Sequence, residues 1–313
     1  MMTRDYPLDI RTPSLYIPKI WRLEMANTFT IQDFFKRFPD DNACLKHLME
    51  VRYGKTLECP RCGKEGAFSR LKKMPAYACA WCGHHIHPMA GTPFERSHTA
   101  LQKWFYAMYL FTTSRHGVPA KELQRQLSVT YKTAWRMGHE IRKYMAKVDG
   151  DGGLSGHIEV DETYVGGRRK GGKKHGITGR GAKKTVVFGM VERGGDIITR
   201  VVKNASRKSL LPHIVENVME GSLISSDEWM SYKPLKSLGY KHRSVNHAAE
   251  QWVDGIVHTN TLEGFWSQIK RSIRGTHIHV SRKHLAKYLG EFEYRWNLRK
   301  RPEIMFARLL LSF

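Results

Sequence analysis

The chain has 313 residues, 41% of them hydrophobic and 11% aromatic, so it can build packed cores and is not a disordered polymer. Lys and Arg number 52 against 29 Asp and Glu, a formal net charge of +23 that draws the chain to polyanions, nucleic acid first among them. No apolar run reaches the roughly 18 residues of a membrane-spanning helix, so no membrane partner is expected.

Residues 1–27 have neither the apolar centre of a signal peptide nor a regular period, and they are read as an extension with no assigned role. Helical spacing begins at Phe29, and Asp40 and Asp41 stand where a second helix would be capped. Then come Cys59-Pro60-Arg61-Cys62, a gap of 16 residues, and Cys79-Ala80-Trp81-Cys82. Two such pairs supply four thiolates to one structural Zn²⁺ and leave it no open position. Gly63 and Gly83 follow the pairs and suit tight turns whose amides face the sulfurs. Cys44 lies on an apolar helical face and is assigned to the core. Residues 28–95 are therefore read as a helical segment plus a zinc ribbon.

An aromatic helix is expected from Ser97 to about Ser114. After Gly117, the run PAKELQRQL–SVT–YKTAWRMGHEIRKYM reads as two helices joined by a tight turn, a helix-turn-helix. The second helix would lie in a DNA major groove, with Tyr131, Lys132, Thr133 and Arg136 near its N-terminus. Arginine reads guanine, while lysine and tyrosine hold phosphate. This makes 96–148 a DNA-binding region, and DGDGGLSG at 149–156 a linker.

Beyond the linker the period changes. Strands are expected at His157–Val165, Thr185–Val191, Ile197–Val202 and Leu223–Ser226, with helices at Ser206–Met219, His258–Arg274 and Ser281–Leu298. A catalytic domain over 157–300 and a tail over 301–313 complete the division. Asp161 stands inside an apolar strand, where an acid is costly without a task or a partner. Asp227 ends another strand, and Glu263 lies on a helix. Three such carboxylates can converge on two divalent cations, Mg²⁺ or Mn²⁺, that serve the attacking and leaving oxygens of a phosphodiester. Lys270 follows Glu263 by two helical turns and shares its face, where it can hold a phosphate. Asn260 is an alternative third ligand. The run from Gly166 to Lys184 holds eight Lys or Arg and no acid, so Arg168, Arg169, Lys170, Lys173 and Lys174 are expected to clamp DNA.

The stretches CPRCG…CAWCG, VDETYVGG, SSDEWMSY, VNHAAEQWVDGIVHTNTLEGFWSQIKR and HLAKYLGEFEYRWNLR resemble bacterial insertion-sequence transposases of the Merlin-related group, in the DDE transposase superfamily. The resemblance spans roughly Phe29 to Pro302. It implies a multidomain α+β chain: an N-terminal zinc ribbon and helix-turn-helix, then an RNase H-like mixed α/β catalytic domain. It further implies that Asp161 and Asp227 are the first two catalytic acids. Some relatives carry Asn in the triad. Glu263 is preferred to Asn260 because a carboxylate neutralises a divalent cation better than an amide, and because 35 residues separate it from Asp227, a familiar spacing in the superfamily. The expected activity is binding of the element's terminal inverted repeats, metal-dependent cleavage and strand transfer into target DNA. At least a homodimer on double-stranded DNA is expected, in the bacterial cytoplasm at the nucleoid. Two rival readings differ in chemistry: a zinc-dependent transcription regulator that does not cut, and a nuclease of the same fold that does not join ends.

Overall fold

The computed structural model describes residues 29–54, 57–148, 153–166, 184–227, 230–245 and 258–313. The N-terminal extension, linker residues 149–152 and loop residues 167–183 lie outside them.

Helix α1 (Ile31–Arg37) opens at Thr30, which exchanges side-chain and backbone hydrogen bonds with Asp33 in a capping box. Helix α2 (Asp41–Tyr53) opens at Asp40, whose carboxylate accepts from the Ala43 amide at 2.8 Å, as its sequence position suggested. A small antiparallel sheet follows, of strands β1 (Phe68–Arg70), β2 (Tyr77–Cys79) and β3 (His85–Ile86). Helix α3 (Leu101–Thr113) buries Trp104, Phe105, Met108 and Phe111, the stripe a helix presents to a core. Helix α4 (Ala120–Leu127) stops at Ser128, which is left-handed with φ 49°. The Thr130 hydroxyl then accepts from the Thr133 amide and opens helix α5 (Tyr131–Val148). Ala134, Met137, Ile141 and Met145 of α5 are buried at helical spacing.

Strands β4 (His157–Val165), β5 (Thr185–Glu192) and β6 (Ile197–Val202) pair antiparallel. Strands β7 (Leu223–Asp227) and β8 (Lys241–Val245) extend the sheet in parallel, giving the order β6-β5-β4-β7-β8. Helix α6 (Arg207–Asn217) and a 3₁₀ stretch, Met230–Leu238, cover one face. Helices α7 (Asn260–Ser272) and α8 (Arg282–Asn297), joined through a π-helical turn at Ile273–His277, cover the other. Strand β5 is apolar on both sides because both faces are covered: Phe188 and Met190 face α6, Val187 and Val191 face α7. This mixed sheet between helical layers is the architecture expected of the RNase H-like domain. The 3₁₀ stretch and β8 were not anticipated, since neither shows a clear period.

The end of the chain departs from the expected tail. Helix α9 (Met305–Leu310) places Phe306, Leu309 and Leu310 in the core built by α1 to α5. Six residues are too few to display a helical period, so this element is invisible until it is packed.

Candidate active site and metal centres

The two cysteine pairs fold into matching turns. The Gly63 amide donates to the Cys59 carbonyl at 2.9 Å and the Gly83 amide to the Cys79 carbonyl at 3.0 Å. Both glycines are left-handed, with φ 67° and 68°, a conformation other residues rarely adopt. The four sulfurs lie within 4.8 Å of one another, with Cys59–Cys82 at 3.6 Å and Cys62–Cys79 at 3.9 Å. A tetrahedral ion with metal–sulfur bonds of about 2.3 Å has sulfur–sulfur edges of about 3.8 Å, so the set fits one Zn²⁺.

On the large sheet, Asp161 of β4 and Asp227 of β7 come from parallel neighbours. Burial pushes the Asp161 carboxyl up to about 7, and the negative charges of Glu162 and Asp227 add to it. The Trp266 indole N–H opposes this shift by donating to Asp161 Oδ2 at 3.0 Å. That indole can approach β5 closely because Gly189, the β5 partner of Asp161, has no side chain. A Cβ there would sit 2.5 Å from the Trp266 ring.

A second acid anchors α7 to the same strand. Glu159 lies two residues before Asp161, on the same face. It is fully buried and accepts from the amides of Thr261 and Leu262 at 2.9 and 3.2 Å, and from the Arg193 guanidinium at 2.8 Å. A carboxylate at a helix N-terminus meets unsatisfied amides and the positive end of the helix dipole. With Glu159 holding the first turn and Trp266 the middle, Glu263 and Lys270 lie one turn on either side of Trp266. Glu263 is exposed and accepts from the Thr259 hydroxyl at 3.3 Å, and Asn260 is exposed in the first turn. Lys270 is half-buried, and its ammonium senses the charge of Asp161.

Among the described residues, the four cysteines are the one group of three or more metal-binding side chains with ligand atoms all within 4.8 Å. Asp161, Asp227 and Glu263 are thus not drawn together as tightly. Sequence reading missed four positioning groups: Glu159, Glu162, whose carboxylate accepts from the buried Tyr232 hydroxyl at 2.7 Å, Tyr232 itself, and Trp266. The spacing of Trp266 between Glu263 and Lys270 was the one available signal.

At the N-terminus of α5, Lys132 is exposed, and the exposed Tyr131 ring lies 5.2 Å from Lys121 Nζ. Thr133 takes part in the cap through Thr130 Oγ1 at 3.0 Å. Arg136 lies over the Trp104 ring at 5.5 Å and donates to Ser97 at 3.4 Å. Trp135, which the sequence did not single out, is partly exposed between them. Arg168, Arg169, Lys170, Lys173 and Lys174 lie outside the described residues.

A zinc ribbon ahead of a mixed sheet with acids on parallel neighbouring strands defines the class, an insertion-sequence transposase of the DDE superfamily. Residues 153–297 match the family described as ISXO2-like transposase domain, and residues 39–85 match the transposase zinc-ribbon domain. The chain is 30% identical over 101 residues to an uncharacterized transposase-like protein of Haemophilus influenzae, covering 32% of this chain and 80% of that one. It is 27% identical over 283 residues to an uncharacterized protein in transposable element ISH50 of Halobacterium salinarum, covering 85% and 94%. Among solved structures it is similar to a Mos1 strand transfer complex, with a TM-score of 0.28, 11% identity, and 66% and 77% of the two chains covered. The chain belongs to the ISXO2-like transposase family.

Proposed function

We propose that this transposase binds the terminal inverted repeats of its own insertion sequence and catalyses cleavage and strand transfer at a site built from Asp161, Asp227 and Glu263. The observation that carries the reading is the pairing of two acids on parallel strands under a helix fixed to the same sheet by Glu159 and Trp266. Lys270 on that helix senses the charge of Asp161, and Glu263, one turn before Trp266, is the acid assigned to the third position. Asn260, in the first turn, is the alternative third ligand.

The donors are all oxygens and carry negative charge, which fits two Mg²⁺ or Mn²⁺ ions. Such ions, when bound, activate the attacking oxygen and stabilise the leaving one. Water attacks a phosphodiester at the element's end, the 3′ oxygen departs and takes a proton, and the end carries a free 3′-hydroxyl. That hydroxyl attacks a target phosphodiester, joining element to target and releasing the target's own 3′ oxygen. Lys270 holds a phosphate beside the acids.

One Zn²⁺ on Cys59, Cys62, Cys79 and Cys82 holds the ribbon. The helix-turn-helix reads DNA through Tyr131 and Lys132, with Thr133 and Arg136 behind them. Arg168, Arg169, Lys170, Lys173 and Lys174 clamp the backbone. Joining two ends requires at least a dimer on DNA. No helix among the described residues is long and apolar enough to cross a membrane.

The test is incubation of the full chain with duplex DNA bearing the element's end, with Mg²⁺ or Mn²⁺, beside Asp161→Asn. Cleavage at the end that needs the metal and is lost in the variant is expected. Binding without cleavage under either metal would leave a DNA-binding regulator as the better account.

A further inference from the structure

Where the end of α3 meets α7, α8 and the approach to α9 lies a cavity of about 370 Å³. Its size falls within the range of roughly 300–1,000 Å³ usual for ligand sites. Gln268 of α7 lines it and stands two residues from Trp266, on the opposite side of that helix, so the cavity is separate from the acidic pair. Arg115, Arg295 and Arg299 line it, and no acidic side chain does.

The charges around Arg295 do not balance. Arg295 is only 9% exposed, and its Nη1 is engaged by Glu291 Oε1 at 2.5 Å and by the Phe111 carbonyl at 3.4 Å. Arg142 holds the other Glu291 oxygen at 2.6 Å, so one carboxylate serves two buried guanidiniums and leaves a positive charge over. Among the described residues, the remaining edge of Arg295, Nε and Nη2, has no hydrogen-bond partner, and neither has the adjacent Trp296 indole N–H. A guanidinium edge of that kind takes two oxygens of one anion side by side. A buried charge left unmatched is costly. Arg299 lies over the Trp296 ring at 4.3 Å and has Asp196 for a counter-charge, while the exposed Arg115 adds another cation. Arg295 and Arg115 together call for about two negative charges, the charge of a phosphate monoester at neutral pH. The α3 side of the cavity is different. The Thr112 hydroxyl donates to the Tyr109 carbonyl at 2.8 Å and the Ser114 hydroxyl to the Gly117 carbonyl at 2.9 Å, so both face a ligand as acceptors.

We propose that this cavity binds a phosphate monoester of a hydroxylated compound, of sugar-phosphate or nucleoside-monophosphate size, with its phosphate on Arg295 and Arg115 and its hydroxyls toward Thr112 and Ser114. A ligand there touches α3 of the first core and both helices of the second, and so braces the joint between them. The site is independent of the cutting chemistry and stands whether or not the chain cleaves DNA.

The experiment titrates the full chain with inorganic phosphate, ribose 5-phosphate and adenosine 5′-monophosphate, by calorimetry and by melting temperature. At least one of the two monoesters is expected to bind about tenfold more tightly than inorganic phosphate and to raise the melting temperature as its concentration rises. Arg295→Lys keeps the charge and can still reach Glu291 but loses the two-pronged edge, and is expected to weaken that binding about tenfold. Where Arg295→Lys also lowers the melting temperature of the free chain, the double variant Arg115→Ala/Gln268→Ala, at the outer residues of the cavity, is expected to show the same loss without that change. Displacement of the bound monoester by duplex DNA separates the sources. No displacement makes the ligand a free metabolite, and displacement by a 5′-phosphorylated duplex but not by its 5′-hydroxyl counterpart makes it a DNA end; both support the site. Equal displacement by the two duplexes makes it a contact for backbone diesters and overturns the inference. Monoesters that bind no better than inorganic phosphate, or variants that bind them as the wild type does, also overturn it.

Discussion

Asp161 sits in a covered strand, where burial first, and then Glu162 and Asp227, push its carboxyl up to about 7. The fold therefore disfavours its charge, and in the proposed site a bound divalent cation would relieve that cost. Replacing the acid by its amide removes the unfavourable charge and keeps the shape and an oxygen for the Trp266 N–H. Without added Mg²⁺ or Mn²⁺ at neutral pH, Asp161→Asn is expected to raise the melting temperature by a few degrees, and with either ion added it is expected to abolish cleavage. A lower melting temperature would show that the charge is compensated. Asp161 was visible in the sequence because an acid within an apolar strand is conspicuous. Glu162, Tyr232 and Trp266 were not. Glu162 resembles the polar half of an alternating strand, and the partners of the other two depend on which strands become neighbours, which periodicity does not reveal.

At the scale of elements, β4 to β7 and α2 to α8 follow from period and capping residues, within a few positions at their ends. Strand β8, the 3₁₀ stretch and the π-turn carry no comparable pattern, because their geometry answers to packing rather than to spacing. The docking of α7 on β4 belongs to the same class of fact. Glu159 supplies it as a buried carboxylate shared between Arg193, the first amides of α7 and the Thr261 hydroxyl. Sequence reading passed over Glu159, since two residues on lies the more prominent Asp161. Removing one partner of a buried pair leaves the other uncompensated, at about 3–5 kcal/mol. Glu159→Gln is expected to cost about that much in urea unfolding and to slow cleavage, since Glu263 and Lys270 ride on the loosened helix. Unchanged stability would show that the amide holds α7 as well as the acid does.

Across the whole molecule, the core of the first helices and the core on the large sheet share helix α8. On one side Asn297 brackets Ile197 of β6 with hydrogen bonds of 2.8 and 3.1 Å, and Glu293 accepts from the Thr199 amide at 2.9 Å. On the other, Gly290 lies against Ala146 so closely that a Cβ would sit 2.3 Å from it, and α5 can approach. At that crossing Glu291 is fully buried between Arg142 of α5, at 2.6 Å, and Arg295 of its own helix, at 2.5 Å. Burial alone would raise the Glu291 pKa, but Arg142 and Arg295 outweigh it and hold the group at about 2, below its ordinary 4.5. A depressed carboxylate contributes stability that is complete above about 4.5 and is lost as pH falls toward about 2. The joint between the two parts should therefore weaken through that window, with α5 parting from α8 before either core melts. At neutral pH, Glu291→Gln reproduces the acid state by leaving two buried guanidiniums without their anion, and is expected to cost about 3–5 kcal/mol. Calorimetry of the zinc-loaded chain at pH 7 is expected to show one transition for the wild type and two for the variant. A single transition in both would mean that α9, inserted into the first core, couples the parts without Glu291.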